Sequence, residues 1–200
     1  LGFRTVRTLA TALVVRQLAG KPDSPAHRNL ATQMWEHSAH AAALAHLIAR
    51  RVTGLDPEIA MFAGTVHEVG GFYLLSRVKE FPGLLEGVAG DWTGEGASGI
   101  SPEKELGRVV LAALCVPQPV VDAIEILWNG YLAFPPTTLG DTLLLADQLA
   151  PVKSPLFQTV VENPDEMAAS LDMIVAEETL SNILKVSADE VKSLTEALRL

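Results

Sequence analysis

The sequence predicts an all-α fold, arranged as a single globular domain of many helices. Apolar residues recur at three- and four-residue spacing along almost the whole chain, which is the period of helices that bury one face. Runs with the strict alternation of a half-buried strand are nearly absent. Hydrophobic residues make up 48% of the 200 residues, which gives a chain of this length enough apolar surface to bury a substantial core.

Glycine and proline mark the ends of the predicted helices, because Gly adopts positive φ at low cost and Pro cannot continue a helix. In the first half, helices are predicted from 3 to a stop at Gly20 and Pro22, at 30–52, from 57 to a break at Gly70-Gly71, and at 72–78. In the second half they are predicted at 102–115, from 120 to a stop at Asn129-Gly130, and at 139–149, 165–175, 177–184 and from 187 onward. The Gly-rich, aperiodic segment 82–99 is predicted to be a surface loop.

Several of these helices have polar start signals. Asp56 precedes Pro57-Glu58 and is predicted to be an N-cap, and Ser101 stands before Pro102-Glu103 in the same way. Ser187 and Glu190 have the spacing of a capping box. Near the N-terminus, one apolar stripe contains Phe3, Val6, Leu9, Ala10, Leu13 and Val14.

Composition excludes several classes of protein. The apolar content is too high for a disordered chain. The formal net charge of −9 repels phosphate backbones, so direct binding of nucleic acid is not expected. No apolar run approaches the roughly 20 residues that span a bilayer, and the single Cys115 cannot form an internal disulfide. We therefore expect a cytoplasmic protein.

The five histidines are the first candidates for chemistry. His27, in a Pro-flanked loop, and His46, in an alanine-rich helix, are interpreted as solvated or core histidines. His37 and His40 are three residues apart, so they share a helix face and could chelate a metal ion.

His67 and Glu68 are adjacent, and neighbouring helical residues point about 100° apart. Two interpretations stay open. A buried ion could lie between the two side chains, or Glu68 is solvated while His67 binds a backbone carbonyl. Asp147 raises a similar question, because it lies in the strongly apolar helix 139–149 and follows Leu143 and Leu144 at helical spacing. A buried carboxylate there must be paired or metal-bound.

Several segments together resemble the HDOD family, the HD-related output domain of bacterial signalling proteins. They are 35–38 (WEHS), 60–70 (AMFAGTVHEVG) and 144–147 (LLAD), in the order and approximate spacing of HD-superfamily proteins. The opening 1–9 resembles the first helix of that family, and 105–107 with Val116-Pro117 resembles a later helix end. The resemblance covers residues 1 to about 150, and we expect 151–200 to be a C-terminal helical subdomain of the same unit.

Catalytic HD proteins are metal-dependent phosphohydrolases of nucleotides and cyclic nucleotides. The resemblance implies His37, His67, Glu68 and Asp147 as candidate ligands, either functional or vestigial, for one divalent transition metal such as Mn, Fe or Zn. It also implies that further helices precede Leu1 in a longer protein.

The chain departs from the catalytic pattern at three places. Glu68 stands where catalytic members have Asp, and its extra methylene moves the carboxylate. The segment 103–107 (EKELG) lacks the histidine that many HDOD members carry there, and the later histidine pair corresponds to Leu127-Trp128. A two-metal cyclic-dinucleotide phosphodiesterase is therefore disfavoured.

Three functions follow from the resemblance. The first is a non-catalytic output or scaffold module that acts through a signalling protein partner or a small ligand. The others are a one-metal phosphohydrolase and a metal-binding sensor without hydrolysis. Apolar residues of the Gly-rich segment are predicted to form either a docking patch or a lid on the core: Leu84, Leu85, Val88 and Trp92. A homo-oligomer is compatible with all three functions.

Overall fold

The computed structural model describes residues 3–18, 20, 24–81, 102–129, 133, 135–156, 174–175 and 178–199. In these residues the fold is all-α apart from one short β-ladder. The first part contains α1 (Phe3–Leu18), α2 (Pro25–Ile48), a π-helical turn (Ala49–Thr53), α3 (Pro57–Val66) and α4 (Val69–Arg77). The second part contains α5 (Pro102–Ala113), α6 (Gln118–Asn129) and α7 (Leu139–Leu149). An antiparallel ladder of β1 (Ile174–Val175) and β2 (Glu178–Thr179) precedes α8 (Leu180–Val186) and α9 (Ala188–Leu198). None of the helices in these ranges is both long enough and apolar enough to cross a membrane.

Helix α2 lies at the centre of the fold and packs against α3, α7 and α9. It begins five residues before its predicted start, because the Ser24 hydroxyl accepts the backbone N–H of His27 and Pro25 occupies the first turn. Small residues bring α2 and α3 close together. A Cβ on Gly64 would lie only 2.5 Å from the Cα of Ala42, so this approach requires glycine. The predicted helix end at Gly54 is confirmed. The π-helical turn that continues α2 stops there, and Gly54 has φ of +69°.

The predicted break at Gly70-Gly71 is wrong. The chain turns at His67-Glu68, and both glycines lie inside α4. Their role is close packing: a Cβ on Gly70 would overlap the backbone carbonyl of Glu103 in α5. The two glycines therefore lie where other segments pack closely against α4. The helix break falls instead on His67 and Glu68, the residues predicted to carry chemistry.

The apolar stripe of α1 is not its buried face. Val6, Leu13 and Val14 are 51%, 44% and 42% exposed, whereas Ala12 and Val15 are buried. The hydrophobic period identifies the more apolar side of this helix. The side that packs against the core is the one with the smaller residues.

The C-terminal part differs most from the prediction. Residues 165–173 of one predicted helix lie outside the described residues, and its last two, Ile174–Val175, form a strand. The next predicted helix, 177–184, begins only at Leu180, because Glu178–Thr179 belong to the ladder. The predicted capping box at Ser187 is absent. Ser187 has φ −97° and ψ 8° and no side-chain cap bond, since its backbone is not in the extended conformation of a capping residue.

The predicted surface loop 82–99, with its docking or lid residues, lies outside the described residues. The N-cap at Asp56 is confirmed, because its carboxylate accepts the N–H groups of Glu58 and Ile59. A capping box that the sequence analysis missed is formed by Thr138 and Asp141 at the start of α7.

Candidate functional site

Four of the predicted residues meet where α2, the turn between α3 and α4, and α7 pack together. We call His37, His67, Glu68 and Asp147 the histidine–carboxylate cluster. His37 is 1% exposed, and His67 and Glu68 are each 3% exposed. The Asp147 side chain is 17% exposed. The cluster is thus buried, with Asp147 nearest to solvent.

The two imidazoles present the same nitrogen to the centre of the cluster. Nδ1 of His37 donates to the carbonyl of Val152 at 2.8 Å, and Nδ1 of His67 donates to that of Gly64 at 2.7 Å. A carbonyl can only accept, so the hydrogen-bond network assigns a proton to both Nδ1 atoms. The two Nε2 atoms then face each other at 3.3 Å.

Asp147 completes this arrangement from α7. Its Oδ1 lies 3.0 Å from Nε2 of His37 and 3.6 Å from Nε2 of His67. Burial opposes the imidazolium form of His37, but the negative charges of Glu68 and Asp147 and the Asp147 hydrogen bond outweigh it and raise the pKa of His37 to about 9. Burial likewise opposes ionisation of Asp147, but the hydrogen bonds and charges of the two imidazoles lower its pKa well below its usual range.

Glu68 is buried with both carboxylate oxygens bonded. Its Oε2 accepts from the Ser38 hydroxyl at 3.2 Å, and its Oε1 accepts from the Ser154 hydroxyl. The interpretation of a solvated Glu68 is therefore wrong, although its companion, a His67 bonded to a backbone carbonyl, agrees with the structure. Both side chains can face inward because they lie in a turn, where Glu68 has φ −98° and ψ 15°, and not on one continuous helix.

The remaining histidines lie outside the cluster. His40 donates from Nδ1 to the carbonyl of Glu36 at 2.7 Å, so His37 and His40 do not converge. His27 lies in the first turn of α2 and not in the predicted loop. His46 is half-buried, and burial lowers its pKa while the carboxylate of Glu58, 3.9 Å from Nε2, opposes the shift.

The segment after α7 supplies groups that no pattern in the sequence selects. Val152 orients His37, Ser154 holds Glu68, and between them Lys153 donates to the carbonyl of Gln148 at 2.6 Å. Burial lowers the pKa of the Lys153 ammonium, and the charge of Asp147 opposes this shift. The only feature of the sequence that could have selected Ser38 is its position directly after His37.

The donor set fits a divalent transition metal ion. Ligand atoms of His37, His67 and Glu68 lie within 4.8 Å of one another, and Asp147 faces both imidazoles. Imidazole nitrogens and carboxylate oxygens suit Mn, Fe or Zn. In each neutral imidazole, the bond from Nδ1 to a carbonyl fixes the tautomer in which Nε2 carries no proton and is available to a metal ion, as in metal-bound histidines.

The two segments in which the sequence lacks the histidines of the family pattern, 103–107 and 127–128, pack against each other. A Cβ on Gly107 would lie 2.9 Å from the ring of Trp128, and Lys104 donates to the Trp128 carbonyl at 2.8 Å. These contacts join α5 to α6 in place of ligands for a second ion.

Comparison with known proteins agrees with the resemblance seen in the motifs. Neither curated proteins nor solved structures give a match to this chain. The family model of the HDOD domain matches residues 1–126, a range that contains His37, His67 and Glu68 but ends before Asp147. Because this match covers more than half of the 200 residues, the chain belongs to the HDOD family.

Proposed function

We propose that this chain is a non-catalytic output or scaffold module of a cytoplasmic bacterial signalling protein. In this proposal, the histidine–carboxylate cluster ties α2, the α3–α4 turn and α7 together, and a signalling protein binds elsewhere on the helical surface. One observation carries the proposal: the cluster is buried, and its polar atoms are bonded to one another and to the chain. His37, the residue at its centre, is 1% exposed.

A hydrolytic metal site needs an open position for water and substrate. The segment that follows α7 crosses this cluster and is bonded to it through the Val152 carbonyl and the Ser154 hydroxyl. With this segment in place, His37 and His67 are 1% and 3% exposed, which leaves a phosphate group little access to the imidazoles. Among the described residues, one group of His and Glu side chains lies close enough together to hold an ion, and the segments 103–107 and 127–128 contain no histidine.

A single ion would be compatible with this role. When bound, Mn, Fe or Zn would supply positive charge and Lewis acidity. The chain itself would hold it through Nε2 of His37 and His67, each oriented by a backbone carbonyl, and through the carboxylates of Glu68 and Asp147. Ser38 and Ser154 would keep Glu68 in place by donating to its oxygens.

The one-metal phosphohydrolase remains the second candidate, and the observation that favours it is the donor set. Two Nε2 atoms and Asp147 Oδ1 face one another, and Asp147 is 17% exposed. The ammonium of Lys153 also interacts electrostatically with this carboxylate.

Phosphate release separates the two candidates. The protein is loaded with Mn²⁺ or Zn²⁺, its metal content is measured by elemental analysis, and a panel of nucleotides and cyclic nucleotides is supplied. We expect no release above that of His67→Ala, with or without bound metal. The matched control is His40→Ala, which removes an imidazole from α2 outside the cluster. Turnover that survives in His40→Ala and disappears in His67→Ala would establish the enzyme and overturn the proposal.

A further inference from the structure

A second charged site lies on the opposite side of α2, between α1, α2 and α9. It is a cavity of about 290 Å³, which we call the arginine cavity. Arg16 of α1, Arg28 of α2 and Arg199 just after α9 line it, together with Thr32, Trp35 and Glu36. The three arginines come from three different parts of the chain, so the fold and not local sequence brings them together.

The charge of this cavity is opposite to that of the protein. The chain has a net charge of −9 and only 15 Lys and Arg residues, yet three of them line one small cavity. Glu36 is the carboxylate among its described lining residues. Like charges at such a site repel one another, and an anion between them would relieve the repulsion.

The bonds that Arg16 and Arg199 make to the chain leave some of their donors over. Arg16 donates from Nη1 to the carbonyl of Arg199 at 2.9 Å, and Arg199 donates from Nη2 to Glu36. A guanidinium carries five N–H donors, so each of these two bonds uses only part of the group. All three arginine side chains are exposed, so a ligand from solvent can reach them.

A further hydrogen-bond donor belongs to a residue that lines this cavity. Trp35 lines the cavity and is 7% exposed, and its indole Nε1 is buried without an acceptor among the described residues. Buried donors normally have a partner. A ligand oxygen, or a water held by the ligand, is one way to supply it.

We propose that the arginine cavity binds a phosphate group, either free or as the monoester of a small molecule. A phosphate accepts hydrogen bonds on all sides and is bound by the forked donors of arginine. Donors from three parts of the chain match such a ligand better than a planar carboxylate, which one guanidinium can satisfy. Since the ligand would connect α1, α2 and α9, its binding would fasten the two ends of the described chain to α2. This site shares no residue with the histidine–carboxylate cluster, so it is independent of the proposed function.

Titration calorimetry with inorganic phosphate tests the proposal on the full chain. Arg16→Gln is expected to weaken binding at least tenfold, because it removes a charge-assisted donor. Glu36→Gln is expected to tighten binding severalfold, because it removes the competing carboxylate and releases Arg199. The matched control is Arg51→Gln, the same change of charge in the π-helical turn that follows α2, about 22 Å along the helix from Glu36, which is expected to leave binding within twofold.

Arg28→Gln is a second test in case Arg16→Gln does not fold, and it is expected to weaken binding in the same direction. Glycerol phosphate and acetate are titrated in parallel. Tighter binding of glycerol phosphate would assign a monoester, and tighter binding of inorganic phosphate would assign the free anion; both support the site. The proposal is overturned if phosphate does not bind, if acetate binds as tightly, or if Arg51→Gln weakens binding as much as Arg16→Gln.

Discussion

Two neighbouring residues of α2 lie in opposite environments. Glu36 is partly exposed and accepts from Arg199 at the arginine cavity, whereas His37 is 1% exposed and lies in the histidine–carboxylate cluster. Both make charged contacts across long stretches of sequence, to Arg199 and to Asp147. The two sites therefore differ above all in access to water.

That difference decides what each site can do. In the cluster, His37, His67 and Glu68 are buried, so water cannot replace a lost partner and removal of one is costly. In the arginine cavity, water solvates the charges, so the ion pairs add little stability and their donors remain available to a ligand. The buried site is suited to holding helices together, and the open site is suited to binding.

The largest expected effect is that of Asp147→Ala. It leaves the charged His37 imidazole buried without its carboxylate, and loss of one partner of a buried pair costs about 3–5 kcal/mol. Urea unfolding of the variant measures the loss of free energy. Asp122→Ala, an exposed aspartate on α6, is the control and should change stability by less than about 0.5 kcal/mol. An equal, small effect for both would show that the cluster does not tie the helices.

Gly70→Ala tests the packing that positions the cluster. The new methyl would overlap the Glu103 carbonyl, and such overpacking costs about 3 kcal/mol. The comparison is Gly20→Ala beside the arginine cavity, where nothing lies within 4 Å but φ is +66°, so only the backbone strain of about 1–2 kcal/mol remains. Thermal melts of both variants measure the contrast, and a Gly70→Ala protein as stable as the parent would contradict the close contact of α4 and α5.

The sequence predicted the helical class and most helix positions, because hydrophobic period and Gly or Pro punctuation are local signals. It also selected His37, His67, Glu68 and Asp147 through their motifs. It could not place Ser154 or Val152, since nothing in their neighbourhood signals that they cross a site formed more than 80 residues earlier. It misplaced the break at Gly70-Gly71, because a glycine required for packing has the same sequence signature as one that ends a helix.

The contribution of His37 to stability should depend on pH. In the folded, metal-free protein the pKa of His37 is raised to about 9, above its unfolded value of about 6.5. Its contribution is therefore complete below about pH 6.5 and lost as the pH rises through 9, by up to about 3 kcal/mol. Urea unfolding in EDTA at pH 6 and pH 9.5 measures this loss. The same slope in His37→Gln would assign the pH dependence to other groups.

The smallest expected effect is that of Glu36→Ala. The Glu36–Arg199 pair is 29% and 42% exposed, and such pairs contribute about 0–1 kcal/mol. Urea unfolding should therefore show a change several times smaller than that of Asp147→Ala. A loss as large as that of Asp147→Ala would mean that the arginine cavity, like the cluster, holds the fold together.

The central claim is that the histidine–carboxylate cluster is closed to substrate, and histidine side-chain ¹⁵N NMR tests it most directly. Spectra of the Zn²⁺-treated protein are recorded before and after addition of millimolar nucleoside monophosphate and cyclic dinucleotide. We predict that the imidazole resonances of His37 and His67, assigned with His37→Gln and His67→Ala, do not shift with either ligand. Saturable shifts of His67 that depend on Zn²⁺ would show that substrates reach the ion, and would contradict a non-catalytic role.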